Sequence, residues 1–448
     1  MEKTVCELFA GVGGFRCGLN SINTIEDTKK EEKWNTVWFS QWEPEKKKQW
    51  AHDCYVNRFG TSLDLNGNDT TNIDIARVDK NTIPDHNLLV GGFPCQDYSV
   101  ARGLNGEKGI YGKKGVLWWS IRDVINAKKP PFVLLENVDR LLKSPSKQRG
   151  RDFGVILACL NDCGYSVEWR VINAAEYGFQ QKRRRTYIFA YKDTTNYAEK
   201  IRGNSFYDVI QREGFFAKSF PIDVFEEKKI RHTDLSLDIV EVSDNFEFAF
   251  ENSGYMSDGK IYTIKTTPIY KKPISLGDIL QDNRTSYVDS KYYVDDKKLY
   301  YTYKDIRHSY ESHEDLPKEH RQTWQYLKGG KKRLRTASSG HQYIFSEGPI
   351  PMIDEWDSPA RTMLTSEGSF NRSTHLVKDK MTGKIRILTP IETERIQGFP
   401  DDWTKDCLVE GEIVPMPERM RYFCMGNALV VNLIKQMEEQ LSKIFERE

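Results

Sequence analysis

The sequence lacks the features that mark several classes of protein. No apolar run approaches the roughly 18 residues that a membrane-spanning helix needs, and residues 1–9 mix both charge signs, which argues against a secretory signal. There is no Cys-x-x-Cys pair, and Cys159 and Cys163 have no second pair nearby to complete a zinc site. We therefore expect no metal site, and reduced thiols in a cytoplasmic protein.

The chain also has almost no excess of charge. Its 448 residues include 66 Lys and Arg against 65 Asp and Glu, a formal net charge of +1. Nucleic-acid-binding proteins often have a basic excess, but only one face of such a protein needs to be basic. The basic runs 182–185 and 331–335 are either such a face or ordinary solvated surface. Charge alone leaves nucleic-acid binding open.

Apolar runs alternate with helical patterns over the first 190 residues. Helical patterns cover 45–58, 116–127 and 153–162. The predicted strands are 4–9, 36–40, 87–92, 132–135, 165–171 and 186–191. This alternation predicts an α/β fold with a doubly wound, mainly parallel sheet that is covered on both faces.

The pattern changes after about residue 195. Aromatic and charged residues are scattered through 195–385, and helical patterns return at 390–397 and 428–445. We interpret the middle of the chain as a second, mixed domain.

A glycine-rich turn at residues 9–15 follows the first predicted strand and opens a helix. Glycines let the backbone turn sharply and approach a ligand closely, and free N–H groups at a helix start suit an anionic group. The spacing differs from the dinucleotide fingerprint G-x-G-x-x-G, so a plain tight turn explains it equally well.

Three side chains near successive strand ends suit a nucleoside. Glu43 follows the second strand, where a carboxylate can accept hydrogen bonds from ribose hydroxyls. Trp42 beside it offers a ring that can stack on a purine, and Asp74 follows a third, poorly defined strand. Each acid taken singly is more often a surface carboxylate, but their order along the chain favours a nucleoside site.

A candidate nucleophile follows the predicted strand 87–92. Pro94 fixes the backbone directly before the thiol of Cys95, and Gln96 follows it. The carboxyl end of such a strand is where sites lie in α/β folds. Residues 97–115 are rich in glycine and suit a loop that closes over a substrate. The alternative is a buried structural cysteine.

Further polar side chains are expected at the same edge. Glu136 comes directly after the apolar run 132–135. Gln181, Arg183 and Arg185 alternate, so on an extended segment all three point the same way. A thiol, a carboxyl group and a row of arginines together predict an active site, and a structural salt-bridge row is the alternative.

Ordered blocks of these residues resemble the cytosine-5 DNA methyltransferases over nearly the whole chain. Residues 9–15 resemble the family's cofactor loop, 92–96 its P-C-Q block and 136–138 its E-N-V block. Further matching blocks are Q-x-R-x-R at 181–185, the segment 388–400 and G-N-A-L-V at 426–430. One departure is that Glu43 follows Trp42, whereas the family often places its acid before an aromatic residue.

The resemblance implies the catalytic roles. Cys95 would add to cytosine C6 as a thiolate, Glu136 would hold or protonate N3, and Arg185, with Arg183 as a second candidate, would bind O2. Pro94, Gln96 and Gln181 belong to the same blocks.

The resemblance also implies S-adenosyl-L-methionine as methyl donor in a Rossmann-like methyltransferase domain. That domain would comprise residues 1–193 and 420–448, and residues 194–419 would form a target-recognition domain. Segments 322–341 and 361–372 are candidates for base and phosphate contacts, although both also suit ordinary surface loops. The implied cofactor contacts are Phe9, Ala10, Gly11, Gly13, Gly14, Phe15, Trp42, Glu43, Asp74, Ile75, Asn427 and Ala428.

The expected partner is double-stranded DNA, and the expected protein is a cytoplasmic, prokaryotic or phage enzyme that acts as a monomer. A separate restriction endonuclease is a possible companion. One rival is an RNA cytosine-5 methyltransferase, which the length of 195–385 disfavours. The other is a non-enzymatic DNA-binding protein, which the intact Cys95, Glu136 and Arg185 disfavour.

Overall fold

The computed structural model describes residues 1–44, 46–93, 117–282, 287–300, 322–336 and 340–448. The strands are β1 Thr4–Leu8, β2 Asn35–Ser40, β3 Leu88–Gly92, β4 Phe132–Val138, β5 Tyr165–Asn173, β6 Arg184–Lys192, β7 Arg231–Asp234, β8 Ser253–Ser257, β9 Lys260–Ile264, β10 Lys331–Thr336, β11 Gln342–Glu347, β12 Leu376–Lys378, β13 Ile385–Ile387, β14 Asp406–Val409 and β15 Glu412–Pro415. The α-helices are α1 Gly14–Leu19, α2 Trp50–Phe59, α3 Leu117–Lys128, α4 Arg151–Asp162, α5 Asn196–Arg202, α6 Phe206–Asp208, α7 Phe215–Ser219, α8 Ile239–Asn245, α9 Leu276–Ile279, α10 Trp324–Lys328, α11 Pro390–Gln397, α12 Glu418–Asn427 and α13 Val431–Phe445.

A nine-stranded sheet organises the molecule, with the order β2-β1-β3-β4-β6-β5-β8-β9-β7. The pairs from β2 to β4 are parallel. From β4 onward every pair in this sheet is antiparallel. The sheet is therefore mixed, and the predicted parallel pairing describes the half that carries the first four strands.

The central strands form because their apolar side chains are buried on both faces. Alternate residues of β3 and β4 point to opposite faces. Leu88 and Val90 belong to one hydrophobic cluster, and Leu89 belongs to the other. Helices α1 and α13 contribute to the first cluster, whereas α3 and α4 contribute to the second. The central strands are thus covered on both sides, which explains their near-continuous apolar runs.

Three predicted local features are wrong. The helix predicted from residue 45 begins at Trp50. The strand predicted to end at residue 135 continues to Val138, so that Glu136 lies within β4 and opposite Tyr187 of β6. No strand precedes Asp74 among residues 60–74, where the chain forms turns instead.

Later parts of the chain pack closely onto the first four strands and their helices. The sheet continues past residue 193 through β8, β9 and β7. Strand β14 packs on α2, and the Arg58 guanidinium donates to the carbonyl oxygens of Asp402 and Trp403. The division of the chain at residues 193 and 420 stays a prediction. Among the described residues, no helix has the length and apolar character needed to cross a membrane.

Helix α13 returns to the first part of the chain and packs on α1. The Trp34 ring meets Phe445 edge-on at 4.7 Å between centroids, and its indole N–H donates to Glu438 at 2.9 Å. A Cβ built on Gly18 would lie 2.5 Å from the Cβ of Ile434. The two helices therefore approach so closely that only glycine fits at residue 18.

Replacement of Gly18 by alanine tests this close approach. We expect Gly18→Ala to lower the free energy of unfolding by about 1–3 kcal/mol, because an extra methyl in a packed core forces its neighbours apart. The better helix propensity of alanine offsets up to about 1 kcal/mol of this packing cost, so the net effect should still be a destabilisation. Urea denaturation gives both quantities needed, the midpoint and the slope.

Gly203→Ala is the matched control. Its nearest atom, the carbonyl oxygen of Lys200, would be 3.5 Å from the new Cβ. We expect a change within about 0.5 kcal/mol. Equal destabilisation by the two substitutions would contradict the packing argument.

Candidate functional site

A tight loop crosses the carboxyl ends of β1 and β2. Phe9, Gly11 and Gly13 have φ angles of 54°, 57° and 86°. A Cβ on Gly13 would lie 2.7 Å from the Phe59 ring, whereas one on Gly11 would meet nothing within 4 Å. The loop is therefore packed against the Phe59 ring at Gly13 and is open at Gly11, where a ligand can approach the backbone.

Two side chains that the sequence analysis missed hold this loop. The Gln41 side-chain oxygen accepts from the N–H of Gly11 at 2.7 Å. The buried indole of Trp403 donates to the carbonyl oxygen of Val12 at 2.8 Å. Position after a strand end could have identified Gln41, but no local signal marks Trp403, which is 391 residues from its partner.

A buried carboxylate lies under the start of α1 and was also missed. Glu7 is 1% exposed, and the Tyr55 hydroxyl donates to it at 3.0 Å. Burial raises the pKa of Glu7 to about 7, although Tyr55, Arg16 and the N–H groups of Phe15 and Arg16 oppose the rise. Glu7 therefore changes protonation near neutral pH.

The structure gathers the predicted nucleoside-binding segments around the loop. The N–H of Ala10 donates to Ser40, and the N–H of Gln41 donates to the carbonyl oxygen of Thr71, both at 2.9 Å. These bonds place residues 41–43 and 71–75 beside the loop. The predicted contacts on the loop, at residues 42–43 and at residues 74–75 therefore lie in one region.

Trp42 and Glu43 differ in their exposure. The Trp42 ring is partly exposed. Glu43 is half-buried, and this burial raises its pKa, while Lys46 lowers it. The amide of Gln49 clamps the Glu43 backbone, accepting from its N–H at 2.7 Å and donating to its carbonyl oxygen at 2.9 Å.

Asp74 and Ile75 form a short turn. One Asp74 carboxylate oxygen accepts from the N–H of Ala76 at 3.0 Å and caps the single 3-10 turn Ile75–Arg77. Ile75 is buried in the hydrophobic cluster on the α3 side of the sheet. Asp74 is therefore positioned by its own turn and not by a strand end.

The closing block reaches the loop from the other end of the chain. Helix α12 ends at the exposed Asn427, and Ala428 follows it. The next residue, Leu429, packs over Gly14, whose Cβ would be 3.1 Å from its side chain. The structure thus brings Ala428 near the start of α1.

The end of β3 lies directly against Glu136. The N–H of Phe93 donates to the Glu136 carbonyl oxygen at 3.3 Å. A Cβ on Gly92 would be 3.2 Å from the Glu136 carboxylate. The predicted Pro94, Cys95 and Gln96 follow immediately, and they lie outside the described residues, as does the predicted loop at 97–115.

Glu136 and Arg185 form an ion pair across β4 and β6. Arg185 Nε is 2.8 Å from Glu136 Oε1, and the two side chains are 17% and 13% exposed. The pair is shielded from solvent on most sides but is still reachable, because neither side chain is fully buried. The structure thus brings these two predicted catalytic residues into direct contact beside the end of β3.

Arg183 and Gln181 lie deeper than Arg185. Gln181 and Arg183 are buried, whereas Lys182 and Arg184 are exposed, as the predicted alternation requires. The Arg183 guanidinium donates to the carbonyl oxygens of two distant residues, Met363 and Gly426, each at 3.0 Å. Burial and the nearby Arg185 lower the pKa of Arg183 to about 9, so it stays charged at neutral pH.

The hydrogen bond from Arg183 to the Gly426 carbonyl oxygen depends on residue 426 being glycine. A Cβ at residue 426 would be 2.3 Å from the backbone nitrogen of Thr365. Only glycine lets α12 approach residues 364–365 this closely, and that approach places the Gly426 carbonyl oxygen at Arg183. A direct contact of Arg183 or Gln181 with a ligand stays a prediction.

Comparison with known proteins gives a family match over nearly the whole chain. The family model described as C-5 cytosine-specific DNA methylase matches residues 3–443. The type II methyltransferase M.Sau3AI of Staphylococcus aureus is 48% identical over 444 residues, which cover 98% of this chain and 95% of that relative.

Solved structures resemble the fold. The Entamoeba histolytica methyltransferase EhMeth aligns with a TM-score of 0.53 at 14% identity, covering 99% of this chain and 98% of its own. DNMT2 of Spodoptera frugiperda aligns with a TM-score of 0.52 at 13% identity and covers 99% of each chain. This likeness confirms the predicted Rossmann-like fold class.

The buried Glu7 predicts a pH-dependent stability. Because its pKa is raised to about 7 in the folded protein, the folded state binds this proton more tightly than the unfolded chain. The stability from Glu7 is therefore present at low pH and lost as the pH rises toward 7. Between pH 5 and pH 8 we expect the wild type to lose roughly 2–3 kcal/mol more of its free energy of unfolding than Glu7→Gln does, because the glutamine cannot titrate.

Urea denaturation of both proteins at several pH values measures this difference. The exposed Glu412, replaced by glutamine, is the control and should leave the pH dependence unchanged. Parallel stability curves for the wild type and Glu7→Gln would show that Glu7 does not titrate in this range.

Proposed function

The chain belongs to the C-5 cytosine-specific DNA methylase family, and from this premise we propose the reaction and its residues. It is a DNA cytosine-5 methyltransferase of the restriction-modification type. We propose that it transfers the methyl group of S-adenosyl-L-methionine to C5 of a cytosine flipped out of a specific duplex sequence, through a covalent bond between Cys95 and C6. The observation that carries this proposal is the Glu136–Arg185 ion pair, which lies against Gly92, three residues before Cys95.

The loop and its neighbours fit S-adenosyl-L-methionine. The space at Gly11 admits a ligand to the backbone, the partly exposed Trp42 ring suits stacking on adenine, and the half-buried Glu43 suits ribose hydroxyls. When bound, this cofactor supplies an electrophilic methyl group on a sulfonium. In the proposal the further contacts come from Phe9, Ala10, Gly11, Gly13, Gly14, Phe15, Asp74, Ile75, Asn427 and Ala428.

The proposed first step activates the cytosine. The Cys95 thiolate adds to C6, and the electron pair of the C5–C6 double bond becomes available at C5 for the methyl group. The Glu136 carboxyl group holds N3, and Arg185 donates to O2, so that negative charge does not build up on the ring. Because Arg185 also binds Glu136, one guanidinium fixes the carboxyl group and contacts the base.

The proposed second step releases the product. After C5 has accepted the methyl group, a base removes the C5 proton, the double bond reforms and the Cys95 thiolate leaves. None of this can occur inside a stacked duplex, so the cytosine must be flipped out at a cost of a few kcal/mol. Pro94 and Gln96 would orient the thiol.

The cellular setting is part of the proposal. We propose a cytoplasmic, monomeric enzyme whose catalytic domain comprises residues 1–193 and 420–448, and whose residues 194–419 read the target. A restriction endonuclease of the same specificity would act separately. Bisulfite sequencing of DNA from cells that express the protein tests duplex DNA as the substrate and gives the target sequence, and transfer RNA from the same cells tests the alternative substrate.

Trapping on a fluorinated substrate tests the covalent step. In a duplex whose target cytosine is replaced by 5-fluorocytosine, addition and methyl transfer should proceed, but elimination should stall because fluorine cannot leave as a cation. We expect a protein–DNA adduct that survives heat and detergent, requires S-adenosyl-L-methionine and maps to Cys95 by mass spectrometry.

Cys95→Ser is the matched variant for this experiment. It should form no adduct and lose methyl transfer by several orders of magnitude, because a serine alkoxide is far harder to form than a thiolate. The other seven cysteines serve as internal controls. An adduct at one of them, or near-normal turnover by Cys95→Ser, would refute the assignment.

The ribose contact is tested through cofactor affinity. We expect Glu43→Ala to weaken S-adenosyl-L-methionine binding by roughly 1–3 kcal/mol, because it removes a carboxylate that accepts hydroxyl hydrogen bonds. Isothermal titration calorimetry measures the affinity directly. Glu412→Ala, at an exposed position on β15, should bind as the wild type does. An unchanged affinity for Glu43→Ala would place the ribose acceptor elsewhere.

A further inference from the structure

Strands β10 and β11 form a hairpin that is not hydrogen-bonded to the nine-stranded sheet. The two strands form a two-stranded sheet with six paired positions, from Lys331 opposite Glu347 to Thr336 opposite Gln342. Most of its described side chains are exposed or half-buried on both faces. A two-stranded hairpin is only marginally stable in water without a covering surface. Apart from Lys331 at its base, the fold therefore leaves the described side chains of this hairpin exposed or half-buried.

Two aliphatic side chains lie side by side on one face of the hairpin. Leu334 is directly opposite Ile344, and they are 65% and 69% exposed. Residues that are directly opposite in a sheet have side chains on the same face. An exposed aliphatic pair at the middle of a hairpin is unfavourable in water and gains free energy when a partner covers it.

The charge around this pair selects the partner. Strand β10 contains four basic residues among its six, in the order Lys-Lys-Arg-Leu-Arg-Thr. The first of them, Lys331, is buried and donates to the carbonyl oxygens of Leu327 and Gly329, whereas Lys332 and Arg335 are exposed. The acid on β11, Glu347, is paired with Arg372 at 3.1 Å. The Arg335 guanidinium lies 3.7 Å from the centre of the Phe345 ring. A basic ribbon with an apolar centre complements a polyanion that has apolar groups in a groove.

The hairpin base is connected to the candidate active site. Arg372 binds Glu347 and the carbonyl oxygen of Gly348. Ten residues earlier, the Thr362 hydroxyl donates to the carbonyl oxygen of Lys182, and the next carbonyl oxygen, that of Met363, accepts from Arg183. One short segment therefore joins the start of the catalytic strand β6 to the hairpin base.

We propose that the β10–β11 hairpin enters the major groove of the substrate duplex and that Leu334 and Ile344 contact the C5-methyl group of a thymine in the target sequence. A two-stranded ribbon fits the major groove, which is about 12 Å wide. Basic side chains at its edges contact phosphates. The thymine methyl is the apolar base substituent that this groove displays, and an aliphatic pair complements it. The inference rests on the proposed function only in taking duplex DNA as the substrate.

Selection from a randomised duplex library tests the proposal without methyl transfer. Wild-type protein is incubated with the library, and the retained duplexes are sequenced. We expect the wild type to select one short sequence that contains an A·T pair. The variant with both Leu334→Ala and Ile344→Ala should retain its melting temperature and non-specific DNA affinity, and should lose roughly tenfold or more of its preference for the selected sequence.

Two controls make the result specific. The variant with both Val224→Ala and Leu237→Ala removes aliphatic side chains that are 78% and 85% exposed elsewhere, and it should select as the wild type does. Replacement of the thymines of the selected duplex by deoxyuridine, which lacks only the methyl group, should weaken wild-type binding and leave the Leu334/Ile344 variant unaffected.

The results that would overturn the hairpin assignment differ from those that would refute the proposed methyl transfer. Unchanged sequence preference in the Leu334/Ile344 variant, equal effects of deoxyuridine on both proteins, or a wild type that selects no sequence would each overturn the hairpin assignment. Failure of methyl transfer or of adduct formation would refute the proposed chemistry, yet it would leave the library selection readable.

Discussion

The burial of the Arg183 guanidinium is the constraint on which the arrangement of the site depends. A buried charge without partners would cost several kcal/mol, so the fold must supply acceptors for it. It does so with the carbonyl oxygens of Met363 and Gly426, which are 180 and 243 residues away along the chain. One side chain at the entry to β6 therefore joins the segment that leads to the hairpin and the helix that leads to the glycine-rich loop at residues 9–15.

The glycine-rich loop at residues 9–15 shows the same principle. Its conformation is set locally by Gly11 and Gly13, but its position is held by Gln41 and by Trp403. Trp403 is itself buried against Phe59 and Phe399. The C-terminal third of the chain is thus part of the loop's support, whichever domain boundary is drawn through it.

The proposed chemistry and the proposed DNA contact require opposite environments. The first needs side chains shielded from water and the second needs side chains exposed to it, and the fold provides both. The Glu136–Arg185 pair is mostly shielded from water, where the attraction between the two charges is stronger than in bulk solvent. The aliphatic pair of the hairpin, Leu334 and Ile344, is exposed to solvent and gains free energy when DNA covers it. The segment 362–372 links these environments through hydrogen bonds from side chains to backbone carbonyl oxygens: Thr362 donates to Lys182, Arg183 donates to Met363, and Arg372 donates to Gly348.

The sequence by itself determined the local features. Apolar runs predicted the central strands, glycines predicted the tight loop, and alternation predicted that Gln181, Arg183 and Arg185 share a direction, because strand period and backbone freedom depend only on neighbours along the chain. Only the tertiary structure decided which of these arginines is buried on carbonyl groups and which one pairs with Glu136. It also extended β4 by pairing it with β6, removed the strand expected before Asp74, and placed Trp403 on the loop. These outcomes depend on partners from distant segments, and a local pattern carries no information about which distant group will satisfy a buried charge or hydrogen bond.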